Sequence, residues 1–82
     1  MSDINEITQR LNRVFCEVFE DDSIKIFNEM TANDLEEWDS LSHITLVLAV
    51  EKEFNIRLSA AEIGRLLNVG EMIDLLAQRA GR

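Results

Sequence analysis

Three neighbouring residues have side chains that could do chemistry together, namely Asp39, Ser40 and His43. A hydrolase of the Ser-His-Asp type needs a base beside its nucleophile and a carboxylate that orients the base. Residues three apart share one face of a helix, but adjacent residues diverge by about 100°, so Asp39 is poorly placed to orient His43. We therefore predict no catalytic residues and no enzyme, and a small esterase stays an alternative.

Ser40 lies where a long acidic segment meets a predicted helix. A phosphodiester on its hydroxyl would lie near unpaired backbone N–H groups and the positive end of the helix dipole, both of which favour an anion. The same position suits a helix N-cap, for which Asp and Ser are both preferred. Position alone leaves two interpretations open: an attachment site on Ser40, or a simple cap formed by Asp39 or Ser40.

Residues 20–39 contain eight of the sixteen acidic residues, which raises the question of calcium. An EF-hand loop needs oxygen ligands at alternating positions and a central glycine. Counting from Asp22 places Ile24 and Ile26 at ligand positions and Phe27 at the glycine. We therefore predict no EF-hand and no metal site.

Cys16 and His43 are the single cysteine and the single histidine of the chain. They provide neither an intrachain disulfide nor a zinc-type ligand grouping. The opening residues show no secretory pattern, and the longest apolar run, 46–50, is far shorter than the roughly 20 residues that span a bilayer. We expect a cytoplasmic protein with no membrane partner, in which Cys16 is a small, semi-buried side chain.

Spacings of three and four between apolar residues predict two long helices. The first runs from about Asp3 to Phe19, with Asp3 and Glu6 as a capping pair. The second begins at Asp39 or Ser40 and ends at Phe54. Its apolar face is unusually wide, and we predict packing against several neighbours as the default for its members: Leu41, Ile44, Leu46, Val47, Leu48, Val50 and Phe54.

Two further helices are predicted after residue 58. Ser59 and Glu62 form the capping-box pattern of a short helix that extends to about Leu67. A weaker signal at 68–71 starts the last helix, with Gly81 as its stop. With no proline and no alternating apolar pattern, we predict an all-α bundle of three main helices and one short helix.

Residues 20–39 form a long loop between the first two helices in this prediction. A connection of that length is normally functional or held by its own side chains. The candidates for holding it are its apolar residues: Ile24, Ile26, Phe27, Met30 and Leu35.

The net charge of −8 argues against nucleic acid, since phosphate backbones are bound by clustered Lys and Arg. A strongly negative field would draw the protein toward basic patches on other proteins, an attraction that salt weakens. It would equally serve solubility alone, and charge does not separate these readings. We expect a monomer.

The stretch 37–44, with the letters EWDSLSHI, resembles the Asp-Ser-Leu attachment motif of acyl carrier proteins. The following helix, which ends at 51–54 with EKEF, is similar to the family's second helix. The acidity, the long loop before the motif and the helix order long, long, short, long extend the resemblance over essentially the whole chain. It implies a single acyl carrier domain over residues 1–82.

The resemblance implies that a phosphopantetheinyl transferase, using coenzyme A and magnesium, attaches 4′-phosphopantetheine to Ser40, and that the thiol of this arm carries acyl groups. It further implies that Asp39 assists the modification. Partner enzymes would dock on a set of residues in the second helix: Leu41, Ile44, Leu48 and Glu51. The core and any acyl cavity would be lined by another set, for which plain core packing is the alternative: Val47, Val50, Phe54, Leu58, Ile63 and Leu66.

Some residues depart from the pattern of fatty-acid carriers. Glu37 stands where those carriers commonly have Gly, and Trp38 where they have a small residue. Positions that are often acidic hold Ser42, Thr45 and Lys52. The Trp-Asp-Ser-Leu version resembles specialised free-standing carriers of polyketide or other pathways, with Trp38 folding over the motif or closing the core. The alternatives are a peptidyl or aminoacyl carrier, and an unmodified acidic helical interaction module.

Overall fold

The computed structural model describes residues 4–66 and 68–80 and contains four helices: α1 (Ile4–Phe19), α2 (Ser40–Phe54), α3 (Ala60–Gly64) and α4 (Val69–Ala80). The all-α prediction is confirmed, and no strand occurs within those two ranges. The predicted Asp3 cap and the stop at Gly81 lie outside the described residues. The prediction that the short helix extends to about Leu67 was wrong, because α3 ends at Gly64 and Arg65 is its C-cap. None of the four helices has the length and apolar character needed to cross a membrane, as far as residues 4–66 and 68–80 show.

The core forms where α1 packs against α2 and α4. Each long helix contributes the residues of one apolar stripe, and α1 provides Ile7, Leu11, Val14 and Phe15. From α2 come Leu46, Val47, Val50 and Phe54, and from α4 come Val69, Met72, Ile73 and Leu76. Burial of these side chains supplies the main stabilisation, because no disulfide is available.

The long loop, 20–39, is held against α1 by the side chain of Asn12. Its Oδ1 accepts a hydrogen bond from the Ile26 backbone N–H at 2.8 Å, and its Nδ2 donates to the Ile24 carbonyl at 3.1 Å. Ile24 and Met30 are buried, as predicted for residues that hold the loop. The prediction was wrong for Phe27, which is 47% exposed.

Ile26 and Leu35 are partly buried against the same core, so they also hold the loop as predicted. Cys16, half-buried on α1, lies with its Sγ 3.6 Å from the Ile24 carbonyl oxygen. This confirms the prediction of a small, semi-buried cysteine.

The loop also completes the beginning of α4. The Val69 and Gly70 N–H groups donate to the carbonyls of Met30 and Asn28, at 2.9 and 2.8 Å. These are two of the N–H groups that a helix leaves without an intrahelical partner. The contact is close, since a Cβ on Gly70 would lie 3.0 Å from the Asn28 oxygen. The loop is therefore joined to both α1 and α4, and this fixes where α2 starts.

Short helix α3 is positioned by the predicted capping box. Ser59 accepts a hydrogen bond from the Glu62 N–H, and Glu62 Oε1 accepts one from the Ser59 N–H. The Glu62 carboxylate also forms an ion pair with Arg79 of α4, and Arg79 donates to the Arg57 carbonyl at 3.0 Å. These bonds join α3 to α4, and the His43 ring of α2 faces the Ile63 carbonyl oxygen of α3 at 3.4 Å.

Candidate functional site at the head of the second helix

Asp39 is the N-cap of α2. Its backbone is extended, and its Oδ1 accepts hydrogen bonds from the Leu41 and Ser42 N–H groups at 3.1 and 2.9 Å. Ser42 returns the interaction, because its Oγ accepts the Asp39 N–H at 2.7 Å. This reciprocal capping box satisfies the first donors of the helix with side chains from the chain itself.

Ser40 is the first residue within α2, and it is exposed. Because Asp39 is the cap, the Ser40 hydroxyl is not used to terminate the helix, and it forms no hydrogen bond with any residue of 4–66 or 68–80. The N-cap is therefore Asp39 rather than Ser40, and attachment at Ser40 stays a prediction. The serine presents its hydroxyl to solvent at the positive end of the helix dipole.

The Asp39 carboxylate is held in its charged form. The Ser42 backbone N–H, and after it the Ser42 hydroxyl, lower the pKa of Asp39 below its ordinary value. Hydrogen bonds to the ionised form favour that form, and here they outweigh the small opposing effect of desolvation. The exposed serine therefore has a carboxylate as its immediate neighbour.

The role of Ser42 was missed in the sequence, where it was noted only as a replacement for an acid. Its hydroxyl donates to the Glu37 carbonyl at 2.7 Å, so it joins the end of the loop to the first turn of α2. The spacing of Asp39 and Ser42 is the same as that of Ser59 and Glu62. A capping-box search that allowed serine at the third helical position would have found it.

His43 is bound by groups other than the aspartate. The Trp38 Nε1–H donates to His43 Nδ1 at 3.0 Å, and an indole nitrogen can only donate, so Nδ1 is the acceptor. The ring proton then lies on Nε2, which faces the Ile63 carbonyl oxygen at 3.4 Å. Both ring nitrogens are engaged away from Asp39, so these side chains do not form a catalytic triad.

Trp38 belongs to the core, where it is 4% exposed. Its ring meets Phe15 edge to face, with 5.3 Å between the ring centroids, and it stacks on His43. Of the two positions considered for Trp38, the one that closes the core is confirmed.

An open groove of about 520 Å³ lies beside Ser40, between the loop, α2 and α3. Its lining residues are Ala32, Trp38, Asp39, Ser40, His43, Ile63, Gly64 and Leu66. Of the residues predicted to line the core or a cavity, Ile63 and Leu66 reach this groove. Val47, Val50 and Phe54 lie in the core, and Leu58 is half-buried beside it.

The outward face of α2 is apolar. Leu41, Ile44 and Leu48 are 80%, 57% and 60% exposed. The default prediction that they pack inside the bundle was wrong, because α1 covers only the opposite face of the helix. Glu51, predicted with them, is half-buried, and its carboxylate accepts the Leu58 N–H at 2.7 Å.

No group of three or more His, Cys, Asp or Glu side chains in 4–66 and 68–80 is arranged to hold a metal ion. The acids of the loop make local bonds instead, as when Asp34 accepts the Thr31 N–H at 2.9 Å.

A solved structure shares this fold and a good part of the sequence: the solution structure of holo acyl carrier protein from Geobacter metallireducens. The two superpose with a TM-score of 0.86 and 38% identity, over 93% of this chain and 87% of that one. The chain belongs to the acyl carrier protein family. Its function is that of an acyl carrier.

Acyl carrier proteins from Buchnera aphidicola strains Tuc7 and APS, of the subspecies Acyrthosiphon pisum, agree with this assignment. Each is 29% identical over 76 residues, which make up 93% of this chain and 95% of the relative. No protein-family model matches the chain. The resemblance that rested on residues 37–44 is therefore confirmed at the level of the family.

Proposed function

We propose that this carrier holds acyl groups as thioesters on a 4′-phosphopantetheine arm attached to Ser40, and that partner enzymes do all the bond-making. The observation that supports this is the division of labour at the head of α2. Asp39 and Ser42 cap the helix, so the exposed Ser40 hydroxyl is left for modification. The arm, when bound, supplies a thiol that forms thioesters.

The attachment reaction uses coenzyme A as the donor. The Ser40 oxygen forms a bond to the phosphorus that bears pantetheine, the pyrophosphate bridge breaks, and adenosine 3′,5′-bisphosphate leaves. The serine proton passes to a base of the transferase. The charged Asp39 would assist by meeting the magnesium ion that the transferase brings, and the resulting phosphodiester would lie at the N-terminus of α2, which favours an anion.

The outward face of α2 is our proposed docking surface for the transferase and for acyl-transfer enzymes. Leu41, Ile44 and Leu48 project from the same helix that presents Ser40, so a partner seated on them is close to the arm. The net charge of −8 would speed encounter with basic patches around that contact. Glu51 would contribute its charge at the far end of the face.

The specialised type of carrier is the finer part of the proposal. Trp38 and His43 form a hydrogen bond at the head of α2. This bond depends on these two side chains and is not a general property of helical bundles. We place the chain with carriers of a dedicated pathway, such as polyketide or aminoacyl transfer. The engagement of His43 with Trp38 and Ile63 supports a carrier without catalysis of its own.

Intact-protein mass tests the attachment. Wild type incubated with coenzyme A and a broad-specificity transferase should gain one phosphopantetheinyl group, and Ser40→Ala should gain none. Ser23→Ala, which removes an exposed serine of the loop, is the matched control and should be modified like wild type. An unmodified wild type would contradict the proposal and favour an unmodified interaction module. An adduct that survives Ser40→Ala would contradict attachment at Ser40, because the group would then be on another residue.

A further inference from the structure

The groove beside Ser40 ends on residues of the core. Trp38 and Leu66 line the groove and are also members of the buried cluster, at 4% and 6% exposure. An acyl chain on the arm of Ser40 that folded back into this groove and turned inward would meet these two side chains first. They form the floor of the groove, and its other side is open to solvent.

A chain of hydrogen bonds runs across this floor. Trp38 at the end of the loop donates to His43 on α2, and His43 in turn faces the Ile63 carbonyl on α3. The three elements that surround the groove are therefore linked through one imidazole ring. If this ring moved away, the N–H of the buried Trp38 would lose its acceptor, whereas the Ile63 carbonyl would still accept the Leu66 N–H at 3.2 Å.

The space behind the floor is filled. Trp38 meets Phe15 edge to face, and Phe15 and Leu46 are both 0% exposed. Moving Trp38 aside to admit an alkyl chain would break its bond to His43 and its contact with Phe15. Burial of the alkyl chain would have to offset the loss of both the hydrogen bond and the ring contact.

The groove itself suits a short group. Most of its lining surface is apolar, and the polar atoms along it belong to Asp39, Ser40 and His43. Gly64 leaves room, because a Cβ there would have no atom within 4 Å. A long alkyl chain in an open groove stays partly in water and gains little from burial.

We propose that His43 and Trp38 determine cargo specificity: they close the core to a group carried on the arm of Ser40 and keep it in the open surface groove, so this carrier favours short acyl groups over long alkyl chains. The proposal rests on the proposed function of Ser40. It concerns where the cargo lies after loading and is tested separately from loading itself.

The experiment uses the whole chain loaded at Ser40 from acyl-coenzyme A donors with acyl chains of two, four, eight and twelve carbons. Mass spectrometry verifies each adduct, and the melting temperature is then measured for each loaded form. Chain burial in the core would raise the melting temperature with length, by more than about 5 °C across the series. We expect a flat series within about 1 °C.

Variants at His43 make the test specific. His43→Leu removes both hydrogen bonds, and we expect its melting temperature to rise with chain length as Trp38 yields and the chain enters. His43→Gln offers an acceptor and a donor at similar positions and should restore the flat series. Thr45→Leu, an exposed change on the same helix outside the groove lining, should behave as wild type.

Trp38 is the single tryptophan, so its emission gives a second measurement on wild type alone. Its emission maximum should not move as the chain lengthens. A shift with length, or a wild-type melting temperature that climbs with length, overturns this inference while the attachment to Ser40 stands. Failure of every donor to load Ser40 overturns the proposed function, and this inference with it.

Discussion

Two leucines of α2, Leu46 and Leu48, show how differently the two faces of this helix are used. They lie two residues apart and have the same side chain, yet Leu46 is 0% exposed and Leu48 is 60% exposed. The inward face is covered by α1, and nothing among the described residues covers the outward face to the same extent. A helix that is apolar on almost all sides thus supplies both a core and a surface for partners.

The largest difference between the faces should appear in stability. Leu46→Ala should lower the free energy of unfolding by about 2 to 5 kcal/mol, because it removes a buried side chain and leaves a cavity. Leu48→Ala should change it by no more than about 0.5 kcal/mol. Urea unfolding followed by circular dichroism measures both. Equal losses in the two variants would mean that Leu48 is covered in solution, for example by a second copy.

Modification by the transferase should depend on the outward face of α2, in contrast to stability, which depends on the inward face. Leu48→Ala should lower kcat/KM for modification by the transferase roughly five- to thirtyfold, as expected when about 1 to 2 kcal/mol of interface energy is lost. Ile4→Ala, which truncates an exposed apolar side chain on α1, is the matched control and should leave the rate unchanged. Added salt should slow wild type through the −8 charge. A wild-type rate for Leu48→Ala would remove the docking role of this face.

Apolar periodicity predicted the helices of this fold well but could not say which side of α2 faces inward. Only the family resemblance assigned the outward and inward residues of α2 to different roles. Periodic apolar residues and the Ser59–Glu62 box locate helices α1 to α4 because those signals are local. The orientation of α2 depends on which of its two apolar faces α1 covers. That choice is made by packing between distant segments and leaves no local pattern in the letters.

At the site, the motif located Ser40 but not what surrounds it. The Asp39–Ser42 capping box is local and could have been found. The bond from Trp38 to His43 joins residues only five apart, but it needs one particular pair of side-chain orientations across the junction of loop and helix. Spacing and composition predict the helix start and do not specify those orientations.

The contrast between open and packed surfaces extends to two glycines. Gly64 borders the groove, and a Cβ there would meet nothing, so Gly64→Ala should stabilise the fold by about 0.5 to 1 kcal/mol through helix propensity. A Cβ on Gly70 would lie 3.0 Å from the Asn28 carbonyl oxygen, which accepts the hydrogen bond of the Gly70 N–H. Since that backbone cannot easily retreat, Gly70→Ala should cost about 1 kcal/mol. Thermal unfolding of both variants measures these changes. A stabilised Gly70→Ala would show that the loop backbone moves away from α4 to admit the methyl group.

The smallest effect on stability should come from Asp39, the N-cap of α2. Its pKa is lowered in the folded state by the Ser42 N–H and hydroxyl, so the ionised carboxylate stabilises the fold. That contribution is complete above the ordinary value of 3.8 and is lost as the pH falls through the lowered value. Asp39→Asn retains a cap oxygen without the charge. The difference in the free energy of unfolding between wild type and Asp39→Asn should therefore be present at pH 7 and disappear below pH 3.8.

Urea midpoints measured between pH 2 and pH 7 test this dependence. Asp21 is the appropriate comparison, because the Ser23 hydroxyl and N–H lower its pKa too, in the turn that follows α1. Asp21→Asn should remove its own share of the acid sensitivity and leave the share of Asp39 in place. If the difference in the free energy of unfolding between wild type and Asp39→Asn stays constant down to pH 2, the cap acts through its hydrogen bonds alone. The charge beside Ser40 would then be available for the modification reaction without any role in holding the helix.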